Sequence, residues 1–99
     1  MAYSIRHPLA DQDVRETWLF LARIYGPERA DTFIERLEQV CALLAEHPHM
    51  GRSREDLGPG LRSYPVGPQF VIYYPLDDGV AVARVLDGRR DIAAVFGED

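Results

Sequence analysis

Ninety-nine residues with 46% hydrophobic content suffice for one domain spanning 1–99 and not for two, and a chain of this size buries roughly 60 to 70% of its unfolded surface. A net charge of -5 at pH 7 argues against non-specific nucleic-acid binding, because clustered cations supply most of that affinity, and any nucleic-acid role would need a local patch. All eleven cationic residues are arginine, so no lysine amine is present to act as a base, a Schiff-base nucleophile or a phosphate-binding point charge.

In chain order, "YSIR" at the start alternates Tyr3 and Ile5 with Ser4 and Arg6, the pattern of an edge strand. In "HPLADQDVRETWLFLARIYG", Val14, Trp18, Leu21 and Tyr25 recur at helical spacing between Pro8 and Gly26, which predicts an amphipathic helix over 8–24. A second helix opens at Pro27, carries the stripe Ala30, Phe33, Ile34, Leu37, Val40, Cys41, Leu44, and ends at Pro48. The short link at Gly26 makes the two an antiparallel hairpin. Trp18 and Phe33 are expected in the core.

After the loop "HPHMGRSREDLGPG", three runs rich in β-branched and aromatic residues, 61–66, 69–74 and 80–86, are separated by turn chemistry in "GP" and "LDDG". They predict an antiparallel meander, and "RRDIAAVF" adds a short helical segment. The elements therefore run β-α-α-β-β-β, an N-terminal edge strand and a helical hairpin followed by an antiparallel meander, and the fold class is α+β. Residues 70–74 and 80–86 are apolar at nearly every position, whereas a sheet wet on one face alternates. Either the tail, with Ile92, Val95 and Phe96, covers the second face, or a partner protein does.

The motif order carries a resemblance over Tyr3 to Phe96. The run "HPHMGRSREDLGPGLRSYPVG", then "FVIYY", then "DGVAVARVLDGRRD", following a strand and a helical hairpin, resembles the ParE-like toxins of the ParE/RelE superfamily of bacterial toxin-antitoxin systems. The resemblance implies a toxin whose helical hairpin packs on a twisted antiparallel sheet and which is bound by a cognate ParD-like antitoxin in a hetero-oligomeric complex. It also implies DNA gyrase as the target, met by protein contact. RelE-like relatives instead cleave mRNA on the ribosome, and the fold hosts both activities. An inactive module that only binds antitoxin is a third reading.

Residue chemistry separates the first two. Cleaving RNA through its 2′-hydroxyl needs a base, cations for the phosphate and an acid for the leaving oxygen. This chain has no lysine, no tyrosine after Tyr74, and Asp87 where many relatives carry histidine. Pro68 and Pro75 also stand where relatives often carry a basic residue. No catalytic residue is therefore assigned, and gyrase is the preferred target.

His47 and His49 bracket Pro48 without a third ligand at metal spacing, and His47 sits near the carbonyl end of a helix. Neither a metal nor a cofactor is expected. Cys41 lies on the apolar stripe and reads as a small core hydrophobe. One cysteine, no apolar run of about 18 residues and an opening without a secretory pattern point to the cytoplasm and away from the membrane. DNA binding is left to the antitoxin, since this acidic chain lacks a helix-turn-helix.

The candidate contact residues for target or antitoxin are Arg52, Arg54, Arg62, Tyr64, Tyr73, Arg84, Arg89 and Arg90. Arginine's forked donors suit carboxylates on a partner; alternatively these side chains pair locally with Glu55, Asp56 and Asp87. Arg62, Tyr64 and Val66 share one strand face, and simple pairing of the central strands would bring Arg62 towards Arg84.

Overall fold

The computed structural model describes residues 2–97. It runs β1 (Tyr3–Arg6), α1 (Pro8–Tyr25), α2 (Pro27–Glu46), β2 (Arg52–Ser53), β3 (Arg62–Val66), β4 (Gln69–Leu76), β5 (Gly79–Asp87) and α3 (Ile92–Gly97). This is the expected α+β order with one addition: the two-residue β2, inside the arginine loop, pairs antiparallel with β3.

Both long helices begin on a proline, at the position where a missing N–H costs nothing. Gly26 ends one and starts the other. Its φ of 94° is accessible to glycine at little cost; its N–H donates to the Ala22 carbonyl and its carbonyl accepts from the Ala30 N–H. One residue thus reverses the chain.

The strand order is β1-β5-β4-β3-β2. β3, β4 and β5 form the expected antiparallel meander, but β1 lies parallel to β5, so the sheet is mixed rather than purely antiparallel. Alternation in sequence marks an edge strand without giving its direction. Here β2 runs down the sheet before β3, so β3, and β5 two antiparallel steps later, run the same way as β1. Gly79 sits opposite Tyr3, and a Cβ at that glycine would collide with the Tyr3 backbone carbonyl.

The two faces are buried differently. On the helix side, Val14, Phe33, Leu37, Cys41 and Leu44 pack on Val66, Val71, Tyr73, Val80, Val82 and Val85. On the other side, Ile72 and Leu86 are covered by Leu57 and Leu61 of the connector and by Ile92, Val95 and Phe96. The chain's own tail therefore accounts for the apolar second face over that half of the sheet.

A β-bulge sets which residues of β5 enter which face. Ile72 pairs with Arg84 but Tyr73 pairs with Val82, leaving Ala83 as the extra residue. The alternation changes phase there. Val80, Val82 and then Val85 face the helices, and Arg84 is turned out of the core.

Among the expected core aromatics, Phe33 is buried while Trp18 is only half-buried, its Nε1–H donating to Asp31 Oδ1 at 2.9 Å. Tyr25, placed on the core stripe by its spacing, is 59% exposed.

Candidate interaction surface

The loop that precedes β3 is held from beneath. The Tyr73 hydroxyl, on a wholly buried side chain, donates to the Pro48 carbonyl at 2.8 Å and accepts from the Gly51 N–H at 2.9 Å. Burial pushes its phenol above the ordinary range. Gly51 is a glycine because a side chain there would strike the Tyr73 ring and the Ser63 carbonyl. Arg62 adds a second peg, donating from Nη1 to the Gly51 carbonyl at 2.7 Å and the His49 carbonyl at 3.3 Å. Tyr73 has no surface left to offer a partner, which corrects its place in the contact set.

The other arginines are mostly matched with carboxylates. Arg54 holds Asp56 through two bonds of 3.0 Å, and these hold the Asp56 carboxyl below the usual range. Arg89 grips Asp87 in the same way, at 3.0 and 2.9 Å, and Asp87 is likewise lowered, chiefly by that bond and then by the Arg89 backbone N–H. Glu55 accepts from the Gly60 N–H. Arg52 and Arg90 are exposed.

Arg84 and Asp13 form the most buried pair. The fork of Arg84 meets both carboxylate oxygens at 2.8 and 2.9 Å, and Asp13 Oδ2 also accepts the Val85 N–H at 3.0 Å. β1 ends at Arg6, opposite Val82, so the β5 edge beyond it lacks a strand. Asp13, projecting from α1, takes the amide that such a strand would have taken. Arg62 and Arg84 therefore do not come together as the sequence suggested: the Ala83 bulge puts them on opposite phases, one tied to the connector and the other to α1.

What the surface does present is apolar. Leu19, Phe20, Ile24 and Tyr25 of α1 are each more than half exposed. Between this helix and the sheet lies a groove lined by Phe20, Leu21, Tyr25, Leu86, Arg89 and Arg90. Tyr64 is half-buried and packs against the helix-side core. Sequence reasoning missed Asp13 altogether, and the stripe Val14, Trp18, Leu21, Tyr25 left Leu19, Phe20 and Ile24, which widen the apolar surface of α1, without a place.

Residues 5–92 match the family model for the ParE toxin of the type II toxin-antitoxin system, parDE. The chain belongs to the ParE toxin family. It is 40% identical over 73 residues to Toxin ParE3 of Caulobacter vibrioides, covering 74% of this chain and 73% of that one. Toxin ParE1 of the same organism is 30% identical over 88 residues, 89% of this chain and 91% of the relative. A solved structure described as the chromosomal ParDE TA system from P. aeruginosa superposes with a TM-score of 0.74 at 17% identity, covering 88% of this chain and 96% of that one. At that identity it supports the fold of this ParE-family chain and nothing finer. Among the described residues, no helix is long and apolar enough to cross a membrane.

Proposed function

We propose that this ParE-family chain inhibits DNA gyrase by protein contact, without catalysis of its own, and is held by a ParD-like antitoxin in a hetero-oligomeric complex in the cytoplasm. The observation that carries the non-catalytic reading is the neutralisation of its arginines. Arg54, Arg84 and Arg89 each spend a two-pronged contact on a carboxylate of the same chain, leaving them poorly placed to stabilise a pentacoordinate phosphate. His7 Nε2 and the Tyr74 hydroxyl do stand 2.9 Å apart. Arg84, which lines the same cleft as His7, already holds Asp13.

The antitoxin reading draws support from the second stripe of α1. Leu19, Phe20 and Ile24 present an apolar face beside a groove, the kind of surface an amphipathic helix or an extended segment covers.

The test is a gyrase supercoiling assay with the purified chain, scored for lost supercoiling and for trapped cleaved DNA. Inhibition relieved by a cognate ParD-like antitoxin is the expected result. Folded chain that leaves gyrase untouched but cleaves mRNA on ribosomes would overturn the proposal in favour of the RelE-type reading.

A further inference from the structure

The β1 edge is open, and its chemistry complements itself. Tyr3 donates its backbone N–H inward to the Asp78 carbonyl at 3.1 Å, and His7 donates to Val82 at 3.0 Å. Strand alternation therefore sends the N–H and C=O groups of Ala2, Ser4 and Arg6 outward. β1 ends the strand order, so among the described residues no strand receives them. The usual guards are missing: β1 has no proline and no lysine, and its one cation, Arg6, is paired with Asp11 at 2.9 Å. The opposite edge, β2, is only two residues long and carries Arg52.

We propose that two copies of this chain associate through their β1 strands, antiparallel about a two-fold axis at Ser4, joining two five-stranded sheets into one. Outward-facing residues pair only with outward-facing residues. The register that sets Ser4 against Ser4 uses all of them, with Ala2 of each copy opposite Arg6 of the other, for about six hydrogen bonds. The same register sets Tyr3 opposite Ile5 twice. Those side chains share the face of their partners Gly79 and Ala81, away from the helices, and are 47% and 49% exposed; aromatic and β-branched residues make favourable cross-strand pairs. On the helix side, Arg6 of each copy arrives beside Ala2 of the other, at a groove whose α2 wall carries Glu38 and Glu46. A two-fold contact consumes both edges and stops at the dimer. The proposal stands whether or not gyrase is the target.

Sedimentation equilibrium of the purified full chain, from low micromolar to near-millimolar concentration, is expected to reveal a reversible dimer. Ser4→Pro removes an N–H that points only outward, and Ile5→Lys places a charge in the contact. Each should weaken the dimer at least about tenfold, since every loss occurs twice, while the melting temperature stays near that of the parent. Hydrogen exchange on the unmodified chain provides a second readout: the Ser4 and Arg6 amides should slow as concentration rises. A chain that stays monomeric with those amides exchanging freely would overturn the proposal. So would a dimer that survives both substitutions but dissociates with Phe20→Lys on α1.

Discussion

Replacing Arg84 with alanine distinguishes a structural arginine from one kept for a partner. Asp13 is 7% exposed and has three donors, two from Arg84 and one from the Val85 backbone. The substitution leaves a buried carboxylate with a single donor, and breaking a buried pair from one side typically costs about 3–5 kcal/mol. Arg84 is itself 20% exposed, so water can reach part of the gap and the lower end, about 3 kcal/mol, applies. For a domain of this length each kcal/mol moves the midpoint by about 4–8 °C, which gives a fall of about 12–24 °C in thermal melts followed by circular dichroism. Asp13→Ala should cost less, about 1–3 kcal/mol, because the partly exposed Arg84 can reach solvent while the Val85 amide loses its acceptor. The double variant should then be less destabilised than the sum of the two, with a coupling of about 2 kcal/mol. A fall of only a few degrees for Arg84→Ala, or strictly additive effects, would refute the structural assignment. If toxicity vanished at unchanged stability, Arg84 would belong to the contact surface instead.

Tyr73→Phe keeps the buried ring but strands the Gly51 N–H and the Pro48 carbonyl, and should cost about 1–3 kcal/mol, read as a lower urea midpoint with an unchanged slope. Gly79→Ala drives a methyl into the Tyr3 backbone; β1 should detach, with fast exchange of the Tyr3 amide and a loss of about 1–3 kcal/mol. The Asp87 carboxyl is depressed in the folded state by Arg89, so its contribution to stability is present above the ordinary carboxylate pKa of about 3.9 and disappears as pH falls through the lower native value. Arg89→Ala should return the Asp87 titration, followed by NMR, toward the ordinary range. Because Arg89 is largely exposed, the effect on overall stability should be small. An Asp87 titration that does not move would mean the pair is absent in solution.

The elements were legible where one local signal dominates. Pro8, Gly26 and Pro27 mark the hairpin because proline and glycine act on the backbone directly, and the bounds of α1 differ from the expectation by one residue, Tyr25. The β-rich run 69–74 ends at Tyr74, yet the ladder runs on through Pro75 opposite Val80 to Leu76. β3 has already ended its pairing at Tyr73, so that part of β4 is an edge, where proline is tolerated. Long-range features were illegible for a different reason. The direction of β1, the two-residue β2 and the Ala83 bulge are decided by what lies across the sheet, and no local pattern encodes them. Asp13 belongs to the same class: on α1 it reads as one more solvated acid until the end of β1 exposes the Val85 amide beside it.

The bulge also explains why Arg62 and Arg84 do not form one patch. With unbroken alternation, Arg84 would follow Val80 and Val82 onto the helix-side face, the face that Arg62 shares with Tyr64 and Val66. A cation there would need a partner, and two neighbouring arginines would imply an acidic ligand. The extra residue removes that implication by seating Val85 in the core and turning Arg84 to the β5 edge, where α1 supplies Asp13. Each local pairing of this kind subtracts a charge from the surface available to a partner. With three such pairs, at Asp13, Asp56 and Asp87, the contacts proposed above draw mainly on the exposed apolar residues of α1 and β1. In such a complex Arg52 and Arg90, which retain exposure, would orient a docked partner rather than hold it, since rim charges change association rate and register more than affinity.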